Sequence, residues 1–305
     1  MNQPVHRPVP GCDTGLGTTY ERWALNLLLS RLQAETGIKS LVEGPGDGMT
    51  GIAGLNSLGL GLQGVQVTLV LTDPNLAAFA HKVWALHAPS ACLEIMSAAE
   101  HDTDAIGRLP CPDGSADLVW NFNVMARQSD PQAAVAEMVR VSRKYVLVFV
   151  PNRLNYSFWL HRLHHRVARQ PWDHGRADLL HPQPWRRMFA EQGLNDVQTL
   201  WVDCPWWPDI VDFSQLIGDF CPPLRQFTRQ VKPENRMRWD ADRLPYYQPA
   251  AYPHVHARMA RLAFFEDIPD CSRRVWLKRR FAHHVGVLGI KTGALENRRA
   301  LENKR

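Results

Sequence analysis

Apolar positions fall into short, dense runs through the first half of the chain. Lys39–Glu43, Val65–Leu71, Ala116–Phe122 and Tyr145–Val150 are too short for helices and rich in Val and Leu, which predicts buried strands. Cys92–Met96 is a weaker run of the same kind. Between these runs the apolar spacing becomes helical, over Met49–Leu62, Asn75–Leu86 and Asp130–Val141. Asp130 is placed as an N-cap, with Pro131 at the first helical position. Upstream, Thr18 and Glu21 have capping-box spacing, and Trp23, Leu27, Leu28 and Leu32 form a helical stripe behind them. Residues 1–17, rich in Pro and Gly, read as a loose arm. Strands alternating with helices predict an α/β fold, a doubly wound and mainly parallel sheet with helices on both faces.

After Pro151 the pattern changes. Asn155–Arg169 predicts a basic, aromatic helix, Pro184–Gln192 another helix, and Val197–Val202 a strand. Residues 203–290 carry dense Pro and aromatics with no clean period and yield no assignment. The last fifteen residues read as a solvated helix or tail.

Composition adds a division of labour. The 305 residues carry a formal charge of +5, but unevenly. Residues 1–152 hold 10 basic and 14 acidic side chains, and residues 153–305 hold 25 and 16. Eight of the 11 Trp follow residue 153. The apolar fraction of 45% rules out wholesale disorder. No aliphatic run approaches the ~18–20 residues that span a bilayer, and the first residues show no apolar signal core. A soluble cytoplasmic protein with reduced cysteines is therefore expected, and the absence of a CxxC pair among the six Cys indicates neither a zinc ribbon nor a thioredoxin-type site.

The chemistry concentrates at Glu43–Gly51, EGPGDGMTG, between a strand and a helix. Glycines there let backbone N–H groups approach a ligand, at a helix N-terminus that favours negative charge. Asp73, just past the next strand, can accept hydrogen bonds from ribose hydroxyls beside that loop, or cap the helix that begins at Pro74. Two nucleotide readings compete. Gly46, Gly48 and Gly51 fit the dinucleotide fingerprint of a nicotinamide-dependent oxidoreductase, whereas Gly44, Gly46 and Gly48 fit a methyl-donor loop.

The segment LPCPDGSADLVWNFNVMARQSDPQAAVAEMVRVSRKYVLVFVPN, residues 109–152, closely resembles class I S-adenosylmethionine-dependent methyltransferases, with Glu137 and Arg140–Val141 on the helix between its two strands. The resemblance covers residues 39–152 well and 153–202 loosely, and implies a Rossmann-like fold with S-adenosylmethionine as cofactor. It implies that Glu43, Gly44, Gly46 and Gly48 form the first motif and Asp73 holds the ribose. It also implies that Asp102 or Asp104 lies near the adenine amine, and that Asn121 to Asn123 line the methionine end. Where the family commonly has its first-motif acid, this chain has Val42, with Glu43 displaced by one. The implied organisation is an arm and helix (1–38), the methyltransferase domain (39–202) and an Arg- and Trp-rich extension, helical or irregular (203–305), that caps the acceptor site.

Methyl transfer from a sulfonium depends on positioning donor and acceptor more than on an acid or base. Candidates for the acceptor side are Tyr156, His174, His181, Trp206 and Trp207. His161 and His165 stand at i, i+4, but no HExxH glutamate accompanies them, so they read as a solvated face and no metal is expected. The basic half suits a small-molecule, anionic or lipid-like acceptor better than nucleic acid, for which no module is visible. A non-catalytic binding protein of the same fold is the alternative from another class.

Overall fold

The structure is a computed structural model, described here for residues 11–44, 52, 54–97, 108–167, 169, 171–172, 174–194, 196–207 and 237–293. In chain order its elements are β1 (Cys12–Thr14), α1 (Gly15–Thr36), β2 (Ser40–Glu43), α2 (Leu55–Leu62), β3 (Gln66–Leu71), α3 (Pro74–His87), β4 (Leu93–Ser97) and β5 (Ala116–Phe122). There follow α4 (Pro131–Val141), β6 (Ser142–Pro151), α5 (Phe158–Val167), α6 (Pro182–Glu191), β7 (Asp196–Val202), β8 (Arg238–Asp240), α7 (Pro253–Leu262), α8 (Val275–Phe281) and β9 (His284–Ile290).

Seven strands form one sheet in the order β4-β3-β2-β5-β6-β9-β7. The first five are mutually parallel. The alternation along β6 shows how it is buried on both faces. Tyr145, Leu147 and Phe149 join the core beneath α1, α2 and α3, while Val146, Val148 and Val150 join the core beneath α4 and α6. This is the doubly wound α/β arrangement that the apolar runs predict. Asp130 caps α4 as expected, its carboxylate accepting from Gln132 N and Ala133 N.

Three expectations change. Residues 203–290, left unassigned, supply β9, which inserts antiparallel between β6 and β7 with all seven residues buried. The segment read as an extension thus returns to the sheet. Within the expected arm, Cys12–Thr14 form β1, which pairs with β8. Helix α1 begins at Gly15, one turn before the expected capping box, and Thr19 Oγ1 bonds back to Gly15 O instead. Residues 1–10 and 294–305 lie outside the described residues.

The glycines of α2 are explained by packing. An added Cβ at Gly59 would collide with Asn26 Oδ1 of α1, and one at Gly61 with the Trp84 ring of α3. The helix is wedged between two neighbours, and that close approach offsets the roughly 1 kcal/mol that glycine costs in a helix. Glu43 locks the same helix to the sheet. Its Oε2 accepts from Ser57 Oγ at 2.5 Å, and Ser57 Oγ accepts from Trp120 Nε1 at 3.0 Å. Burial raises the Glu43 carboxyl to about 7, against the opposing hydrogen bond from Ser57.

Two outcomes follow. Gly61→Ala is expected to destabilise the fold by about 1–3 kcal/mol, the usual cost of overpacking, measured by denaturant unfolding. Because Glu43 is raised from 4.5 in the unfolded chain to about 7 in the fold, its contribution is complete below pH 4.5 and fades as pH climbs through 7. Across that window wild type should lose on the order of 3 kcal/mol relative to Glu43→Gln, at about 1.4 kcal/mol per pH unit. Parallel stability curves for the two proteins would contradict it.

Candidate active site at the carboxyl edge of the sheet

The carboxyl ends of β2, β3, β5 and β6 share one edge of the sheet, because these strands are parallel. β9 runs the other way and so begins at that edge, with His284 paired to Pro151 at the end of β6 and to Val202 at the end of β7. In open α/β sheets this is where ligands bind.

On one side of the edge lie the residues expected at the cofactor. Glu43 ends β2 with its carboxylate turned to Ser57, and Gly44 N donates to Trp120 O at 3.1 Å. Asp73 follows β3, exposed, and caps α3 by accepting from Asn75 N at 2.7 Å. Asn121 is buried at the end of β5, where its Oδ1 accepts from Val124 N and fixes the turn. Gly46, Gly48, Gly51, Asp102 and Asp104 lie outside the described residues.

Asn123 stands on the other side of that turn, in the left-handed region at φ 61°. Its Nδ2 is 2.8 Å from His284 Nε2. Asp203, the residue after β7, is left-handed too at φ 60°. Its Oδ2 lies 3.0 Å from His283 Nδ1 and 3.4 Å from His284 Nδ1. Glu21 of α1 approaches His284 Nε2 at 3.7 Å. Asn123, Asp203, His283 and His284 are all buried. Burial alone would raise the Asp203 carboxyl, but the two imidazoles outweigh it and hold the group below the usual carboxylate range. Asp203 is therefore an anion set against the Nδ1 side of His284. Asn123 Oδ1 and Asp203 Oδ1 are buried without a hydrogen-bond partner among the described residues. Non-glycine residues with φ above zero and orphaned buried oxygens both concentrate at functional sites.

Next to this group Glu266 accepts from Cys204 N at 2.6 Å and from Tyr20 OH at 3.5 Å. Burial raises its carboxyl to about 7, opposed by the Cys204 N–H and by Lys278. Trp207 meets Tyr20 edge-on at 5.5 Å, and Tyr156 OH donates to Trp206 O at 3.0 Å. The structure thus brings Tyr156 together with Trp206 and Trp207, in the segment that follows Asp203, with Trp207 against Tyr20. It does not bring His174 or His181 into this group. His181 Nδ1 caps α6 by accepting from Gln183 N, and His174 faces His165.

Sequence reasoning missed Glu21, Asp203, His283 and His284. The one available signal is a polar residue abutting each apolar run, Asp203 after LWV and His284 before VGVLGI.

Residues 50–150 match the family described as a methyltransferase domain. No curated protein matches the chain. Among solved structures, the chain is similar to a protein of Anabaena variabilis described as a methyltransferase from an antibiotic biosynthesis pathway. That pair is 14% identical with a TM-score of 0.50, covering 89% of this chain and 99% of that one. An S-adenosylmethionine-dependent methyltransferase of Thermotoga maritima is similar at 14% identity and TM-score 0.45, over 90% of this chain and 92% of that one. The magnesium protoporphyrin IX methyltransferase of Synechocystis, with bound SAH, is similar at 16% identity and TM-score 0.41, over 61% and 77%. At these identities the structural likeness is one of fold. Over residues 50–150, a third of its length, the chain thus matches a methyltransferase domain.

Proposed function

We propose that the carboxyl edge holds S-adenosylmethionine over β2 and β3, and that the acceptor lies over β5, β9 and β7, where His284 takes its proton. Bound S-adenosylmethionine supplies an electrophilic methyl group on a sulfonium, transferred by in-line displacement to the acceptor. Asp73 suits the ribose because it is an exposed carboxylate at a strand end adjoining Gly44. Glu43, already committed to Ser57, acts by fixing the strand end from which the glycine loop departs.

The observation that carries the acceptor side is the Asn123–His284–Asp203 arrangement. The Asp203 carboxylate, 3.4 Å from Nδ1, favours the tautomer protonated there, and that tautomer carries its lone pair on Nε2, 2.8 Å from Asn123 Nδ2. An acceptor O–H or N–H that takes the place of that amide gives its proton to Nε2 as its oxygen or nitrogen gains the methyl. Such a base contributes typically 10²–10⁴-fold. The neighbouring Tyr156, Trp206 and Trp207 suit an apolar or lipid-like small molecule. The outer face of α5 extends the apolar surface, with Trp159, Leu160, Leu163 and Val167 exposed beside Arg162. Residues 203–207 and 237–281 act as the cap over that acceptor.

Calorimetric titration with S-adenosylhomocysteine tests the cofactor side. Asp73→Ala should weaken binding by about 1–3 kcal/mol, the cost of unpaired hydrogen-bonding groups, and unchanged affinity would remove Asp73 from the site. Labelled S-adenosylmethionine, incubated with small-molecule, lipid and RNA extracts, identifies the acceptor class, with label expected in the first two. On the fraction that takes label, His284→Gln should cut turnover by about 10²-fold or more while S-adenosylhomocysteine affinity stays unchanged. Full turnover in that variant would exclude His284 as the base.

A further inference from the structure

Away from His284, three imidazoles converge where α5 meets the loop before α6. His161 and His165 lie one turn apart on α5, and His174 comes from the loop. His165 Nε2 is 3.1 Å from His161 Nε2 and 3.2 Å from His174 Nε2. The three available ring nitrogens all fall within 4.8 Å of one another. A zinc–imidazole bond is about 2.0–2.1 Å, so two ligands on one tetrahedral ion stand roughly 3.3 Å apart. The two spacings to His165 are close to those of ligands sharing an ion.

Proton bookkeeping favours the same conclusion. His165 Nδ1 lies 2.9 Å from Pro171 O, a group that only accepts, so the His165 proton sits on Nδ1. Its Nε2 is then a bare lone pair. Two neighbouring Nε2–H groups would compete for that single lone pair, whereas one cation accepts all three. A backbone carbonyl holding the far nitrogen is also the outer bond that metal-ligating histidines ordinarily make. The Trp172 ring walls the group, with centroids 4.8 Å from His174, 5.3 Å from His165 and 5.8 Å from His161. Trp172 Nε1 donates to Gly175 O at 2.8 Å, and Arg176 N donates to Ala126 O at 2.9 Å. The loop is thereby seated against the turn that follows β5.

From the convergence of His161, His165 and His174 we propose a binding site for one transition-metal ion of the Zn²⁺ class, with three imidazole ligands. Neutral imidazoles without thiolates select Zn²⁺, Co²⁺, Ni²⁺ or Cu²⁺ over Mg²⁺ or Ca²⁺. Among the described residues the group contains no fourth His, Cys, Asp or Glu, which leaves a coordination position for water or another small ligand. The ion ties the loop to α5 next to the acceptor side of the edge. The site stands independently of the roles proposed for Asp73 and His284. It also replaces the expectation of a solvated helix face, because His161 is buried and His174, nine residues past His165, turns back onto the pair.

The test uses the untagged full-length protein, stripped with a chelator and titrated with Co²⁺. One equivalent should bind, with the intense visible absorption of four-coordinate Co²⁺, and Zn²⁺ should displace it. His174→Ala and His165→Ala should each weaken binding by about 100-fold or more, at or beyond the effect of losing an outer-shell partner. His284→Gln and the exposed His254→Ala should leave it unchanged. Circular dichroism of the stripped variants checks that each still folds. In wild type, imidazole ¹⁵N resonances read the site without any substitution, with three Nε2 signals shifting on Zn²⁺. No uptake, a six-coordinate spectrum, no Nε2 shift in wild type, or full affinity in a folded His174→Ala protein would overturn the proposal.

Discussion

The sheet depends on the insertion of β9. Without it, β6 and β7 would each face the gap with an unpaired row of backbone donors and acceptors, buried where water cannot satisfy them. β9 pairs with both, over residues 145–151 on one side and 196–202 on the other. Its antiparallel sense has a chemical consequence. In a parallel strand the residue at this edge would be the last of the strand. Here it is the first, so His284 arrives at the edge directly after His283, whose N–H is held by Asp203 O. One backbone arrangement therefore closes the sheet and aims an imidazole at the place where ligands bind.

Legibility in the sequence followed locality. β5 and α4 could be read to the residue, because a turn rich in Asp, Gly and Ser enters the one and an Asp-Pro pair starts the other. α1 began earlier than its Thr18–Glu21 spacing suggested, because Gly15 is already held by Met237 O from the far half of the chain. β9 could not be read at all. Two glycines and two histidines interrupt its apolar run, and its pairing partners lie more than 80 residues away. The same held for the site. Asp73 and the strand-end asparagines are announced by short motifs, whereas the group around His284 is assembled from α1, the turn after β5, the end of β7 and the start of β9. No window of sequence contains it.

The uneven charge also takes on a different meaning. The acidic half supplies five parallel strands, and the basic half supplies the two that finish the sheet. Buried contacts join the halves throughout. Arg22 on α1 bonds Asn56 Oδ1 at 2.8 Å and lies 3.4 Å from Asp13 Oδ2, and Tyr246 OH donates to the same Asp13 oxygen at 2.6 Å. Tyr247 OH donates to Leu55 O at the start of α2. The helix behind the glycine loop thus rests on residues from the distant half.

This connectivity also governs biosynthesis. Five parallel strands can pair as soon as residue 151 has left the ribosome, but the sixth and seventh places wait for residue 290. During that interval the edge of β6 stays open, and long-range pairings of this kind are slow to form. A nascent chain stalled before β9 would present an adhesive strand edge and would also lack His284. Completion of the proposed acceptor site and protection from aggregation are therefore reached in the same closing step.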